Sequence, residues 1–203
     1  MIEGLPEDVA ALLRRSGALL EGHFQLSSGL HSGHYLQCAR LCAVPAFCEK
    51  LAAGLADQVR ARLGPEPCET VLAPALGGIV VGYELARQLG ARAYFAEREA
   101  GGQMALRRGF ALEPAGRVLI AEDVITTGRS VLEVADLVGA AGARLVGFAC
   151  LFDRSDGAFA PGPPLISLAR LALPTYPPGN CPLCRQGRLP AVKPGSRPSG
   201  ATR

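Results

Sequence analysis

The stretch "VLIAEDVITTGRS" (residues 118–130) leads from apolar residues into two adjacent carboxylates, and then into residues that turn, cap or donate hydrogen bonds. The apolar run predicts a buried strand over 117–123, and the residues from Ser130 onward predict a helix. Ligands of an open α/β sheet collect at the carboxyl ends of its strands. Glu122 and Asp123 lie at such an end, and the sequence therefore predicts a ligand site here.

The last part of the stretch has the composition of an anion-binding turn. Free backbone N–H groups at a helix start bind anions, and Gly128 would let an anion approach the backbone closely. Thr126, Thr127 and Ser130 add hydroxyl donors. A phosphorylated sugar would satisfy both halves, because carboxylates suit its hydroxyl groups. The alternative is a solvated strand end followed by a plain N-cap at Thr127 or Ser130.

Patterns of strands and helices alternate on both sides of this stretch. Apolar runs predict strands over 69–75, 91–98, 117–123 and 143–154, and helical periodicity predicts helices over 7–20, 45–63, 77–90 and 130–142. We expect a hairpin within 22–38, a charged glycine-containing loop over 99–109, and a last strand or short helix over 166–173. The predicted fold class is α/β, with a central, mostly parallel sheet flanked by helices.

The overall composition excludes several classes of protein. With 49% hydrophobic and 19% charged residues, the chain is typical of a folded domain. A net charge of +3 without a basic run gives little support for a nucleic-acid partner. No apolar run reaches the roughly 18 residues of a membrane span, and the acidic N-terminus does not resemble a signal peptide. We therefore expect a cytoplasmic protein with no membrane or nucleic-acid partner.

Two groups of residues could bind a metal. His23, His31 and His34 lie within twelve residues of one another, and Cys181 and Cys184 form a C-x-x-C pair. A closed zinc site needs four ligands, and the chain has no second C-x-x-C pair. Zinc, a disulfide and unpaired packing are all open for the cysteines. Unpaired packing is favoured for both groups, and we assign no metal ligand.

Three segments resemble a known family. The stretch 118–130 resembles the signature of the type I phosphoribosyltransferases, which bind 5-phosphoribosyl 1-diphosphate. The segment "GHFQLSSGLHSGHY" (22–35) resembles the N-terminal hood of the orotate phosphoribosyltransferases, and "LFDRSDG" (151–157) resembles their aspartate–arginine pair. The resemblance implies the type I phosphoribosyltransferase fold with a small hood subdomain. We divide the chain into an N-terminal helix and hood segment (1–44), a core (45–157), and a last core element with a Pro/Gly-rich extension (158–203).

The resemblance also implies an activity. It is the transfer of the phosphoribosyl group to orotate, giving orotidine 5′-monophosphate and diphosphate in pyrimidine synthesis, with Mg²⁺ as cofactor and a homodimer as the assembly. Orotate would contact Thr126 and Arg154, and the catalytic residues would be Arg98, Glu122 and Asp123. The implied binding residues for phosphoribosyl diphosphate are Glu122, Asp123, Val124, Ile125, Thr126, Thr127, Gly128, Arg129, Ser130, Gly77 and Gly78.

The chain departs from this family at its lysines. Many orotate enzymes carry a lysine in the hood, another in the diphosphate loop, and a lysine and a histidine in a mobile loop. Here the corresponding hood and diphosphate-loop residues are Ser27 and Gly77, and the loop 97–109 offers only arginines: Arg98, Arg107 and Arg108. Arginine neutralises phosphate but does not release its proton near pH 7. Help to the leaving group should then be electrostatic.

Simpler interpretations stay open for these residues. Arg154 could be a surface residue paired with Asp153 or Asp156, and the loop arginines could be merely solvated. Two alternative functions also remain: a phosphoribosyltransferase for another nucleobase, and a non-catalytic regulator that senses phosphoribosyl diphosphate.

Overall fold

A computed structural model describes residues 7–26 and 28–194. The helices are α1 (Glu7–Ser16), α2 (Cys38–Cys42), α3 (Pro45–Leu63), α4 (Gly77–Leu89), α5 (Arg129–Ala140) and α6 (Pro182–Gln186). The strands are β1 (Leu19–Gln25), β2 (His31–Leu36), β3 (Thr70–Pro74), β4 (Arg92–Arg98), β5 (Met104–Leu106), β6 (Arg117–Ile125), β7 (Arg144–Asp153), β8 (Leu165–Arg170) and β9 (Thr175–Tyr176).

The core is a six-stranded sheet in the order β5-β4-β3-β6-β7-β8. All neighbours run parallel except β4 and β5, which are antiparallel. The expected α/β class with a mostly parallel sheet is confirmed. The C-terminal segment 166–173 supplies a strand, β8, which was one of its two predicted alternatives.

Both faces of the sheet are covered, because successive side chains of a strand point to opposite faces. On β6, Leu119 and Ala121 pack toward α3 and α4, whereas Val118 and Ile120 pack toward α5. All four side chains are almost fully buried. The central strands are therefore apolar until their carboxyl ends, where Glu122 follows Ala121.

A second, smaller sheet forms the hood. It has the order β1-β2-β9, and both of its pairings are antiparallel. The predicted hairpin of 22–38 is confirmed in β1 and β2. The predicted helix 7–20 is too long, because it ends at Ser16 and Gly17 turns the backbone at φ +60°. Leu19 and Leu20 consequently begin β1.

The predicted loop 99–109 is partly wrong. Its residues Met104–Leu106 form β5, which pairs with the end of β4. The turn between the two strands is closed by the N–H of Glu99, which donates to the Gln103 carbonyl at 2.9 Å. We call residues 92–108, which include the two arginines after β5, the β4–β5 hairpin. Arg98 lies at the end of β4 and pairs with Met104 of the edge strand β5.

No helix in the described ranges is long and apolar enough to cross a membrane.

Candidate active site

The turn after β6 has the geometry of an anion-binding loop. β6 continues to Ile125, and α5 begins at Arg129 with Gly128 as its N-cap. Gly128 has φ +73°, in the left-handed region that favours glycine. The N-cap residue is Gly128, so the plain N-cap at Thr127 or Ser130 is wrong, although Thr127 Oγ1 accepts a long hydrogen bond of 3.4 Å from the N–H of Arg129. The start of α5 and its positive dipole end are open to a ligand.

Gly128 is required for a second reason. A Cβ atom at this position would lie 2.1 Å from the ring of Phe159, which is itself buried. The ring packs against Phe148 of β7 at a centroid distance of 5.3 Å. The turn is therefore fixed from behind by the sheet, while Thr126 and Thr127 remain exposed on its other side.

The two acids lie side by side at the carboxyl end of β6 and are largely buried. The N–H of Asp123 donates to Glu122 Oε1 at 3.2 Å, and the N–H of Val124 donates to Asp123 Oδ1 at 2.7 Å. Neither carboxylate forms an ion pair with another described residue. Burial raises the pKa of both groups, and the neighbouring charge of Asp123 raises the pKa of Glu122 further.

The start of α4 lies against this acid pair. A Cβ atom on Gly77 would be 3.3 Å from both carboxylate oxygens of Asp123, and one on Gly78 would be 2.8 Å from Glu122 Oε1. Only glycines let the helix start approach so closely. The structure therefore brings the two predicted glycines and the two predicted acids together around one cleft, of which a cavity of about 400 Å³ beside Asp123 and Gly77 is part.

Arg154 lies on the other side of β6, just after β7. Its backbone N–H donates to the Ile125 carbonyl at 2.8 Å. Its guanidinium is largely buried, and its Nε has no hydrogen-bond partner among the described residues. Burial lowers the pKa of Arg154, because a buried positive charge without a partner is unfavourable. The alternative pairing with Asp153 is wrong, because the Asp153 carboxylate accepts from Ser155 N and Oγ at 2.9 and 2.7 Å and lies 3.8 Å from Arg170.

The hood contributes a residue that the sequence did not single out for the site. Tyr35 of β2 is half-buried, and burial is the main cause that raises its pKa, with further contributions from Asp123, which raises it, and Arg154, which lowers it. Its ring lies 5.7 Å from that of Phe24 in β1. The hood thus brings an aromatic hydroxyl near both the acid pair and Arg154. The sequence held one signal for this role, because Tyr35 is the last residue of the segment 22–35 that resembles the family's hood.

The arginines of the β4–β5 hairpin differ in their surroundings. Arg98 donates a hydrogen bond to the Gly102 carbonyl at 2.6 Å and forms an ion pair with Glu133 of α5, also at 2.6 Å. Arg108 forms two hydrogen bonds to Glu97, at 2.8 and 2.9 Å. Arg108 is thus an exposed residue in a surface ion pair, and the interpretation of the loop arginines as solvated stays open. Glu133 accepts a hydrogen bond from Arg129 at the start of α5. Through Glu133, Arg98 is therefore linked to the first turns of that helix.

Other cavities frame the candidate site. One of about 590 Å³ includes Arg154, and one of about 70 Å³ is lined by the turn 124–131 and Glu122. A larger cavity of about 820 Å³ lies at the amino ends of β3, β4 and β6, around Thr70, Arg92 and Arg117. We place the site at the carboxyl ends, because the glycines, the unpaired charges and the helix starts all converge there.

Comparison with known proteins agrees with this geometry. Residues 43–164 match the phosphoribosyl transferase domain family. The orotate phosphoribosyltransferase of Carboxydothermus hydrogenoformans is 50% identical over 190 residues, which cover 94% of this chain and 97% of that protein. The chain belongs to the orotate phosphoribosyltransferase family.

Other members of the orotate phosphoribosyltransferase family support the same assignment. The protein of Desulforamulus reducens is 48% identical over 191 residues, covering 94% of this chain and 97% of its own. The crystal structure of the orotate phosphoribosyltransferase from Aeropyrum pernix superimposes with a TM-score of 0.65 at 26% identity, covering 80% of this chain and 93% of that one. The predicted type I phosphoribosyltransferase fold is confirmed. Ser27, the hood residue at the family's lysine position, lies outside the described residues.

Proposed function

We propose that this chain transfers the phosphoribosyl group of 5-phosphoribosyl 1-diphosphate to orotate, which gives orotidine 5′-monophosphate and diphosphate for pyrimidine synthesis. The observation that carries the proposal is the uncapped helix start at Gly128, with an unpaired acid pair on one side and the unpaired Arg154 on the other. Each of these groups has a counterpart in the two substrates.

The 5′-phosphate would lie in the turn 126–130. Backbone N–H groups at the start of α5 and the hydroxyls of Thr126, Thr127 and Ser130 are its donors. Glu122 and Asp123 would accept hydrogen bonds from the ribose hydroxyls. The ribose hydroxyls would give the largely buried carboxylates further hydrogen-bond donors, beyond the backbone N–H groups from which they already accept.

Orotate is an anion, and a buried arginine suits its carboxylate. Arg154 would bind that carboxylate through its guanidinium, with Thr126 as a second contact. Tyr35 lies on the hood side of the same region and would help to close it. Ion pairing with orotate would offset the cost of keeping Arg154 largely buried without a partner.

Mg²⁺ fits the donor set on this edge of the sheet. It is bound in proteins by one or two carboxylates together with substrate phosphates, and the neighbouring carboxylates Glu122 and Asp123 form no ion pair with a described residue. They would hold the ion, and it would supply positive charge to the departing diphosphate. The diphosphate itself would lie at the start of α4, where Gly77 and Gly78 leave the backbone accessible.

Leaving-group stabilisation would come from arginine rather than from a proton donor. The transition state of glycosyl substitution is oxocarbenium-like, so charge neutralisation and positioning provide most of the catalysis. Arg98 is our candidate, and its present partner Glu133 must release it for this role. The glycines of the hairpin turn suit a lid that closes over the substrates.

We also propose a cytoplasmic homodimer. An exposed apolar stripe runs along the start of α4 and supports this assembly: Leu76 is 83% exposed, Val80 49% and Tyr83 64%. These residues are spaced by four and three positions, so they share one face of the helix. Exposed apolar stripes of this kind mark interaction surfaces.

The experiment mixes the protein with phosphoribosyl diphosphate, Mg²⁺ and orotate and follows the loss of orotate absorbance. Loss that requires all three components supports the proposal. Turnover with adenine or xanthine but not with orotate would assign the chain to another nucleobase. Binding of phosphoribosyl diphosphate without turnover would favour a regulator.

A further inference from the structure

Four potential metal ligands converge in the hood, outside the set of residues assigned to the candidate site. They come from three separate segments: His23 on β1, His31 on β2, and Cys181 and Cys184 at α6. All four ligand atoms lie within 4.8 Å of one another. The first three residues are buried and Cys184 is exposed. The proposed transfer reaction does not use this cluster.

Several distances between the ligand atoms are close to those of a tetrahedral zinc site. His23 Nε2 lies 3.6 Å from both cysteine sulfurs, and His31 Nδ1 lies 3.2 Å from the sulfur of Cys184. Bonds of about 2.3 Å to sulfur and about 2.0–2.1 Å to nitrogen at tetrahedral angles place neighbouring ligand atoms about 3.3–3.8 Å apart. The two imidazole nitrogens, at 2.9 Å, need to separate by only a few tenths of an ångström.

The outer contacts of His23 prepare it as a ligand. Its Nδ1 lies 2.9 Å from the carbonyl oxygen of Leu189, which can only accept, so Nδ1 carries the proton. In this tautomer the lone pair of Nε2 points into the cluster. Metal-binding histidines are commonly oriented by such a second hydrogen bond. A nitrogen lone pair thus faces two thiols and a second imidazole nitrogen.

The cluster joins the C-terminal extension to the hood. His31 pairs with Tyr176 of β9, and Val192 exchanges backbone hydrogen bonds with β1, where Gln25 N–H donates at 2.8 Å and His23 O accepts at 2.9 Å. The hairpin and the extension are distant in sequence, with Cys181 158 residues after His23. A metal ion here would cross-link two segments that otherwise meet through few strand bonds.

We propose that His23, His31, Cys181 and Cys184 form a structural Zn²⁺ site. Two imidazoles and two thiolates are a ligand set that zinc prefers, and four protein ligands leave no open position for a substrate. Binding releases the two thiol protons and leaves both histidines neutral. The site holds the C-terminal extension on the hood and thereby fixes the strand that carries Tyr35. It does not depend on the proposed transferase activity.

The test is metal analysis of the full-length chain, purified under reducing conditions, before and after incubation with Zn²⁺ followed by gel filtration. We expect one zinc per chain, and proton release on its uptake by protein stripped with a chelator. Co²⁺ in place of zinc should give the visible bands of a tetrahedral ion and a charge-transfer band from thiolate sulfur. These two readouts need no substrate.

Variants localise the ion. Cys184→Ser changes an exposed side chain and should reduce zinc content to about a tenth or less and abolish the sulfur charge-transfer intensity, because a closed site needs all four ligands. His31→Gln should do the same. His34→Gln is the matched control, since His34 lies on the same strand outside the cluster, and it should retain one zinc per chain.

Two results would overturn the proposal. One is a reduced, folded wild-type chain that takes up neither Zn²⁺ nor Co²⁺. The other is a zinc content that is unchanged in both Cys184→Ser and His31→Gln.

Discussion

The outer surface and the carboxyl ends of β6 and β7 differ in whether their charged side chains form ion pairs. On the outer surface, arginines have carboxylate partners: Arg87 contacts Glu84 and Glu49 at 2.6–2.7 Å, and Arg108 contacts Glu97 at 2.8 Å. At the carboxyl ends of β6 and β7, Glu122, Asp123 and Arg154 are more deeply buried and form no ion pair within the described residues. Exposed pairs cost little to leave unmade, whereas buried unpaired charges are expensive. A protein keeps such charges where a ligand completes them, and the comparison yields five predictions.

Removal of an unpaired acid should have the largest effect. Asp123→Asn removes the charge that faces Gly77 and the ribose, and we expect kcat to fall by about 10²–10⁴-fold while the chain stays folded. Steady-state assays with orotate and circular dichroism provide the measurement. Wild-type turnover in Asp123→Asn would break the assignment of the site.

Replacement of Arg98 should lower the turnover rate without a matching loss of orotate affinity. Arg98→Ala is expected to lower kcat by about 10²–10³-fold, since leaving-group charge develops only in the transition state, and to change orotate binding far less. Isothermal titration of orotate in the presence of diphosphate gives the affinity. Arg107→Ala is the control on the same hairpin. Normal turnover of Arg98→Ala would contradict an electrostatic role.

Replacement of Arg154, in contrast, should weaken orotate binding more than it lowers the turnover rate. Arg154→Gln removes the charge that orotate would meet, and we expect the KM for orotate to rise by about 10–100-fold with a smaller change in the KM for phosphoribosyl diphosphate. The free chain should not lose stability, because the removed charge is unpaired. Equal effects on both substrates would indicate a merely structural role.

The acid pair should make stability depend on pH. The pKa of Glu122 is raised in the folded state above its ordinary value of 4.5, so the folded chain retains a proton that the unfolded chain has released. Stability is then greatest below pH 4.5 for this group and falls as the pH rises toward the raised pKa. Glu122→Gln should flatten this decline and raise stability by about 1–2 kcal/mol near pH 8, at the expense of activity.

The measurement for Glu122→Gln is thermal unfolding at about pH 5 and about pH 8, without substrates or Mg²⁺. Glu113→Gln, on the far end of the sheet, serves as the control. A variant that is less stable than wild type at the higher pH would show that the acids are compensated in the folded chain.

The paired surface charges should matter least. Glu97→Gln breaks the contact with Arg108, and both residues are solvent-accessible, so we expect almost no change in stability and a near-normal kcat. Chemical denaturation and the orotate assay measure both. A large loss of activity would mean that the hairpin must be held by this pair to reach the substrates.

The same contrast explains what could be predicted from the sequence. The strands and helices of the core follow from apolar periodicity. The acid pair and the turn 126–130 are adjacent in the sequence, so β6, Gly128 and the acid pair were all predictable. The β5 strand was missed because three residues with a glycine turn give no clear periodicity. Gly77 was matched by position, but its approach to Asp123 depends on how α4 packs.

The hood cluster was harder to predict for a physical reason. His23, His31 and the cysteines are brought together by strand pairing between segments about 150 residues apart, and no local pattern records that pairing. Each pair alone is an incomplete ligand set. The fourfold set appears only when β9 and α6 pack on the hood.

The strand order β5-β4-β3-β6-β7-β8 has one last consequence. The chain proceeds from β3 toward β4 on one side, then crosses to β6 and continues outward on the other, so the direction of winding reverses between β3 and β6. Loops at such a reversal diverge and leave a crevice, which is where Gly77 and Asp123 meet. In the proposed reaction, chain topology would set the place of the sugar phosphate, while the hood and the segment after β7 would contribute most of the contacts to the base. A change of nucleobase specificity would then be expected to need new residues mainly in those two peripheral segments and at Thr126.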